Sequence, residues 1–341
     1  MLVLSVEILA LAILYAFSKK IGKEKYCCVA AIILTLFAAL RSSAVGPDGL
    51  VYAQYFKDVQ ALSYSGIFLK FDKEPLFYVT IKLLQELGVT LQVWYAIIGG
   101  MFAFAIMFIV RQYSQQPMVS ILAMFSLGYY TFSFTGLRQT MALSIVIISF
   151  YFAERKKYAW AILFILFAAI FHNSALVFLL VILIRDRKFK VWQYAFGMLM
   201  ALGSVVLFRA QVYAFISETV ESIERFEGYA GYTHGLSWAG FVIQCMIFIF
   251  CIIVYNGTDK QYLLNVSYLG VAFQMLAVLM AEFFRISMYF NVFNIILLGN
   301  VFYQNRFATN SKILAKILII AALVLYFING HSGYEYIFYW Q

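Results

Sequence analysis

Long apolar stretches, rich in Leu, Ile, Phe and Val, follow one another along most of the chain and are separated by short polar stretches. A membrane-spanning helix needs about 20 mostly apolar residues, so this pattern predicts membrane spans. The alternating segments of about 10 residues that build an outer-membrane barrel are missing from the sequence. We therefore predict an all-α polytopic integral membrane protein with about 12 transmembrane helices, within a range of about 11 to 13.

One further stretch, 75–87, is amphipathic and too short to cross a membrane comfortably, so we predict a re-entrant or interfacial helix there. We expect a single transmembrane domain over residues 1–341, with larger extracytoplasmic loops at 41–74 and 209–236. The predicted spans are 2–17, 26–40, 91–110, 118–134, 137–152, two short spans within 159–184, 191–208, 237–255, 261–281, 286–302 and 313–328.

Clusters of Lys and Arg give these spans a predicted orientation. The clusters follow the first span and recur at 155–157 and 185–190, and the positive-inside rule places them in the cytoplasm. The stretch 159–184 has such a cluster at each end and His172 near its middle. One long span would put the second cluster outside, whereas two short spans that meet at His172 keep both clusters inside. We prefer the pair.

Composition excludes a soluble protein. The chain is 64% apolar and 12% charged, whereas soluble domains are roughly 45–50% apolar and about 25% charged. The net charge of +9 is explained by cytoplasmic topology signals, and no basic stripe interleaved with aromatic residues indicates nucleic-acid binding. The four cysteines lie in apolar runs, where they act as small hydrophobic residues. No nucleotide-binding or metal-binding motif occurs, so we expect no cofactor and no metal.

Costly polar residues converge on one side of the membrane in this threading. Charged groups near membrane depth are expensive and commonly mark a functional site, so their convergence from distant parts of the chain predicts a site on the outer face. The residues predicted on that side are Arg41, Asp48, Glu74, Arg138, His172, Glu282 and Arg285.

Arginine at an outer membrane boundary suits a lipid-linked phosphate or diphosphate, because its guanidinium makes bidentate contacts with phosphate oxygens. The alternative for each arginine is a structural one, in which it reaches lipid headgroups or pairs with a carboxylate. For Arg138 the functional interpretation is stronger, because Gly136 and Gln139 open and polarise a tight turn between two spans.

Three residues compete for the role of general base. His172 is a candidate because histidine is the side-chain type suited to proton transfer near neutral pH, and the alternative is a helix-end histidine bonded to a backbone carbonyl. Asp48 follows Gly46 and Pro47, so it also fits a turn cap. Glu74 precedes Pro75, an arrangement that is also common at a helix start.

Tyr229 and Tyr232, in the second predicted outer loop, are candidates for sugar binding. Aromatic faces pack on sugar rings and phenol hydroxyls bond to sugar hydroxyls, although interfacial anchoring is an equal alternative.

Several short motifs occur in a defined order over the first 180 residues. The motifs are Arg41 with Gly46, Asp48 and Tyr52; Glu74-Pro75-Leu76-Phe77; Gly136-Leu137-Arg138-Gln139; and Phe171-His172-Asn173-Ser174-Ala175. The loop with Tyr229 and Tyr232, and Arg285, extend the pattern weakly into the second half. In this order the motifs resemble the EpsG family of bacterial exopolysaccharide membrane proteins, a branch of the Wzy-type polysaccharide polymerases.

The resemblance implies a GT-C-like glycosyltransferase of the bacterial cytoplasmic membrane, with its active site facing the extracytoplasmic side. Such a polymerase transfers a growing undecaprenyl-diphosphate-linked glycan onto a new lipid-linked oligosaccharide repeat unit, without a nucleotide sugar or a metal. Donor and acceptor are therefore the expected partners, with a chain-length regulator, a flippase and membrane lipids, and no nucleic acid.

The resemblance also distributes roles among the candidate residues. Arg138 and Arg285, with Arg41 as a third candidate, would bind the diphosphate and stabilise its developing charge. His172 or Asp48 would deprotonate the acceptor hydroxyl. Whether the transfer inverts or retains configuration stays open. The residues expected to orient sugars are Gln139, Glu74, Tyr229 and Tyr232.

Three rival functions share part of this pattern. A flippase or transporter of lipid-linked oligosaccharide also needs arginines for diphosphate. Transporters, however, tend to place charges near the membrane midplane and to contain internal repeats. In this sequence the charges are predicted toward one face, and no internal repeat is visible. An O-acetyltransferase would require His172 on the cytoplasmic side. A polymer ligase would use the same donor chemistry, and the sequence does not separate it from a polymerase.

Overall fold

The structure is a computed structural model of the 341-residue chain. It describes residues 1–208, 211, 238–255, 257–280, 283–301 and 309–341. Within these ranges the regular structure is helical, apart from one isolated β-bridge between Arg41 and Phe338. The predicted all-α class is therefore confirmed.

The helices of the first half are α1 (Leu2–Ala16), α2 (Ser18–Ile21), α3 (Lys23–Leu40), α4 (Gly49–Ala61), α5 (Tyr64–Lys70), α6 (Pro75–Glu86), α7 (Leu91–Tyr113), α8 (Pro117–Ser126), α9 (Tyr129–Phe132), α10 (Leu137–Glu154), α11 (Tyr158–Phe171) and a 3₁₀ helix (Asn173–Leu179). The later helices are α12 (Leu180–Ile184), α13 (Val191–Leu207), α14 (Trp238–Tyr255), α15 (Gln261–Leu276), α16 (Phe283–Asn291), α17 (Asn294–Asn300) and α18 (Thr309–Gly330).

Among the described residues, three helical stretches are long and apolar enough to cross a membrane: α7, α14 and the part Ile313–Gly330 of α18. Five shorter apolar stretches accompany them, among them α1 and α11. The chain is thus a helical membrane protein, and about 12 spans stays a prediction.

Two predicted spans are interrupted in the structure. The stretch 118–134 is divided into α8 and α9, because Gly128 adopts a positive φ of 77° that a helix does not contain. The stretch 286–302 is divided into α16 and α17, between Asn291 and Asn294. At His172 the break that the sequence predicted is present, because α11 ends at Phe171 and His172 has extended dihedrals of φ −156° and ψ 109°.

The described residues form two compact units, 1–179 with 295–341 and 180–294. In the first unit α7 packs against α3 and α10, and α10 packs against α11. The α3–α7 contact is close because Gly99 has no side chain: a Cβ there would lie 2.3 Å from Cβ of Ala38. Small residues permit the same close approach of helices in membrane proteins generally.

The predicted outer loop 41–74 contains two helices, α4 and α5, and both contact α6. Aromatic side chains hold the three helices together. The rings of Phe71 and Tyr78 are stacked with centroids 3.6 Å apart, and Tyr55 meets both of them edge-on. Through these contacts the predicted loop and α6 pack together as one helical segment over residues 41–86.

In the second unit α15 contacts α12, α13, α14 and α16. Asn265 of α15 is buried and donates hydrogen bonds to the backbone carbonyls of Ile184 and Arg187, at 2.7 and 2.8 Å. It also accepts a hydrogen bond from the Tyr194 hydroxyl. A single amide side chain therefore ties α12, the basic turn after it and α13 to one helix.

Candidate active site

Glu74, Arg138 and His172 form one hydrogen-bonded cluster in the first unit. Arg138 Nη1 donates to Glu74 Oε2 at 3.0 Å, and His172 Nδ1 lies 2.9 Å from Glu74 Oε1. The backbone N–H of Asn173 donates to the same Oε1 at 3.0 Å. Three segments that are far apart in the sequence thus meet at one carboxylate.

The three side chains of the cluster differ in their exposure to solvent. The Glu74 side chain is 2% exposed, whereas those of Arg138 and His172 are 28% and 20% exposed. The carboxylate is therefore a buried anchor, and the cation and the imidazole are the groups that a ligand can reach.

Glu74 has an unusual backbone conformation. It caps the N-terminus of α6 with φ 54° and ψ 48°, the left-handed conformation, and Pro75 follows as the first helical residue. A residue other than glycine in this region costs on the order of 1–3 kcal/mol, and such strain persists where the surroundings fix it and clusters at functional sites. Here the three hydrogen bonds to the carboxylate are the fixing contacts.

Arg138 is the second residue of α10, where a positive charge opposes the helix dipole. The ion pair with Glu74 offsets this. Residue 136, just before α10, is glycine, and a Cβ there would lie 2.6 Å from Cζ of Phe132, so the turn that leads into α10 packs closely against this ring. Arg138 Nε is buried and has no hydrogen-bond acceptor among the described residues. The side chain as a whole is 28% exposed, so the exposed part of the guanidinium is what a ligand can contact.

His172 receives its orientation from Glu74. An ionised carboxylate only accepts hydrogen bonds, so the imidazole donates from Nδ1, and Nε2 is the nitrogen that has the lone pair when the ring is neutral. Burial raises the pKa of the Glu74 carboxyl, but the hydrogen bond from His172 and the charge of Arg138 outweigh burial and hold the pKa below its ordinary value of 4.5. The carboxylate is therefore ionised at neutral pH.

Tyr52 is a member of the cluster for which the sequence analysis predicted no role. It is buried on α4 and shares a side-chain hydrogen bond with Arg138. Asp48 caps the same helix one turn earlier, and its charge acts on Tyr52. The spacing of four residues between Asp48 and Tyr52 was the available signal, because it puts both on one helix face.

A model of the EpsG family matches residues 24–340 of the chain. The chain belongs to the EpsG family. Members of this family are Wzy-type polysaccharide polymerases, so a role in polysaccharide biosynthesis follows from membership. No curated protein and no solved structure matches the chain.

Arg41 of this EpsG protein is buried, with 1% of its surface exposed. Its guanidinium lies 4.0 Å from the ring centroid of Tyr95 and 5.0 Å from that of Phe134, and it donates a hydrogen bond to the carbonyl of Ala38. These contacts are those of a packing residue. That Arg41 binds diphosphate stays a prediction.

The remaining predicted site residues of the EpsG protein fall in different places. Gln139 is buried on α10 beside Arg138. Arg285 is half-buried on α16, in the second unit. Tyr229, Tyr232 and Glu282 lie outside the described residues. The structure therefore brings together Glu74, Arg138 and His172, and the roles predicted for Gln139, Arg285, Tyr229 and Tyr232 stay predictions.

Proposed function

We propose that this EpsG protein is the polymerase that transfers a growing undecaprenyl-diphosphate-linked glycan onto a new lipid-linked repeat unit. We place the reaction at the outer face of the cytoplasmic membrane, in a GT-C-like protein of about 12 spans. The observation that supports it is the Glu74 carboxylate, which joins an accessible arginine to an accessible imidazole.

In this proposal His172 Nε2 takes the proton from the acceptor sugar hydroxyl as its oxygen attacks the anomeric carbon of the donor. The bond between that carbon and the diphosphate oxygen breaks, and undecaprenyl diphosphate leaves with the electron pair. Arg138 stabilises the charge that develops on the diphosphate, because its donors are already positioned by Glu74 and Tyr52.

Both oxygens of Glu74 accept hydrogen bonds from the protein, so we assign Glu74 to positioning and His172 to proton transfer. Asp48 acts on the cluster through Tyr52 in this assignment.

The test uses purified protein and an undecaprenyl-diphosphate-linked repeat unit from the producing bacterium, mixed without nucleotide and without added metal. We expect a ladder of products that increases by one repeat unit per step. Arg138→Ala and His172→Ala should abolish the ladder. Arg111→Ala is the matched control, because Arg111 also pairs with a carboxylate, Glu24, in an exposed contact away from the cluster.

Absence of a ladder with the wild-type protein, together with movement of labelled lipid between the leaflets of liposomes, would show a transporter. A ladder that survives in Arg138→Ala would contradict the role given to Arg138.

A further inference from the structure

The first unit contains an open cavity of about 490 Å³ that none of the proposed catalytic residues lines. Its wall comes from the turn before α4, from α9 with the turn after it, and from the segment that follows α18. We propose that this cavity is a carbohydrate subsite, which binds the glycan of the lipid-linked substrate. The inference rests on the proposed polymerase function and adds a second place of contact to it.

The size and lining of the cavity suit sugar rings. Its volume lies within the roughly 300–1,000 Å³ of small-molecule sites. The residues that line it include the aromatic residues Phe132 and Tyr334, together with Thr131, Thr135 and Glu335. Sugars present apolar ring faces and hydroxyl edges, and aromatic rings with nearby hydroxyl and carboxylate groups match both.

The charge of the lining residues favours a glycan over a diphosphate in this cavity. Glu335 is exposed and carries a carboxylate, and the described lining includes no lysine and no arginine. A carboxylate beside a diphosphate is repulsive, whereas it accepts hydrogen bonds from sugar hydroxyls. The cavity and the Arg138 cluster therefore divide the substrate by chemistry, with the glycan in the first and the diphosphate at the second.

The cavity and the Arg138 cluster are close to each other along the chain in two segments. Thr135 lines the cavity three residues before Arg138, so the two Cα atoms are at most about 11 Å apart. Pro47 lines the cavity directly before Asp48, which caps the helix that bears Tyr52. The two walls also touch, since a Cβ at Gly46 would lie 2.1 Å from Cγ2 of Thr135. A glycan in the cavity is thus within a few sugar units of the diphosphate at Arg138.

Gly333 offers a way to fill the cavity without disturbing the fold. It lines the cavity, and a Cβ built on it meets no atom within 4 Å. Gly330 provides a matched control: it too has open space around its Cβ position, lies three residues earlier, and is not part of the lining.

The experiment measures binding of the lipid-free repeat-unit oligosaccharide to detergent-solubilised protein by saturation-transfer NMR. We expect binding by the wild-type protein and by Gly330→Phe, and a loss of about ten-fold or more in Gly333→Phe. Glu335→Ala is a second variant at an exposed position, for the case that Gly333→Phe does not fold. Loss of one hydrogen bond to a charged group should weaken its binding by about ten-fold or more.

The ladder assay on the same preparations separates this inference from the proposed function. A wild-type ladder with equal oligosaccharide binding by the wild-type protein, Gly333→Phe and Glu335→Ala would overturn the subsite alone. Oligosaccharide binding that Gly333→Phe abolishes, without a ladder from the wild-type protein, would overturn the polymerase and support a carbohydrate site. Weaker binding with a raised KM and an unchanged kcat in Glu335→Ala would support both.

Discussion

At the scale of single residues, we expect substitution of Glu74 to destabilise the fold, because its one carboxylate accepts hydrogen bonds from three donors. In Glu74→Gln one acceptor oxygen is replaced by an amide donor that faces donors already in place. Removal of one partner from a buried ion pair costs roughly 3–5 kcal/mol, and we expect the lower end because Arg138 is 28% exposed. Thermal unfolding measures the loss, and the ladder rate should fall with it.

The pH dependence of stability is the sharper measurement on the same variant. Because the pKa of Glu74 is lowered in the folded protein, its contribution is complete above the ordinary value of 4.5. That contribution is lost as the pH falls through the lower folded pKa. We expect the wild-type unfolding midpoint to drop in this acidic range more steeply than that of Glu74→Gln.

The control for both measurements is Glu86→Gln, because Glu86 is exposed and accepts a single hydrogen bond from Tyr64. Its curve should follow the wild-type curve. Parallel curves for the wild-type protein and Glu74→Gln would contradict an ionised Glu74 in the cluster.

Also at the residue scale, His172 can be tested as a base and not only as a hydrogen-bonding partner. We expect His172→Gly to slow transfer by roughly 10²–10⁴-fold, the typical contribution of a general base. Free imidazole should restore part of the rate, because the space left by the side chain and the Glu74 carboxylate both remain. Arg138→Ala is the comparison variant, and imidazole should leave its rate unchanged. A rate that imidazole does not restore in His172→Gly would argue for a structural role.

At the scale of helices, glycine positions distinguish close packing from open surface. Gly99→Ala brings a Cβ to 2.3 Å from Cβ of Ala38, so α3 and α7 must separate and the unfolding midpoint should fall. Gly203 lies within α13 and a Cβ there meets no atom within 4 Å. Gly203→Ala should therefore be stabilising by roughly 0.5–1 kcal/mol through helix propensity. Equal shifts in the two variants would contradict the α3–α7 packing.

The sequence predicted the helices whose apolar pattern is continuous, and it predicted the break at His172 because polar residues interrupt that pattern. It did not predict α4 and α5. Their stabilisation comes from aromatic contacts with α6, such as the stacked pair Phe71 and Tyr78, which are tertiary and leave little periodic signal. Likewise, positive-inside reasoning placed Glu74, Arg138 and His172 on one side, but their pairing joins residues 64 and 98 positions apart. No local pattern encodes such contacts.

At the scale of the whole molecule, the proposed function requires the Glu74 cluster to face the extracytoplasmic side. The charge pattern predicts this orientation, because the basic cluster 155–157 at the other end of α10 belongs in the cytoplasm. Asp72, two residues before Glu74, and Lys157, in the basic cluster, are both exposed. They are suitable positions for single reporter cysteines in a variant that lacks Cys27, Cys28, Cys245 and Cys251.

We expect a membrane-impermeant maleimide to label Asp72→Cys in intact cells, and to label Lys157→Cys only after the membrane is permeabilised. Asp72 is two residues from Glu74, so its label reports the side on which the cluster lies. The reverse pattern would place the cluster in the cytoplasm, where nucleotide-activated and acyl donors are available. Such a result would remove the reason for a lipid-diphosphate donor and would favour an acyltransferase, because His172 would then meet a donor made inside the cell.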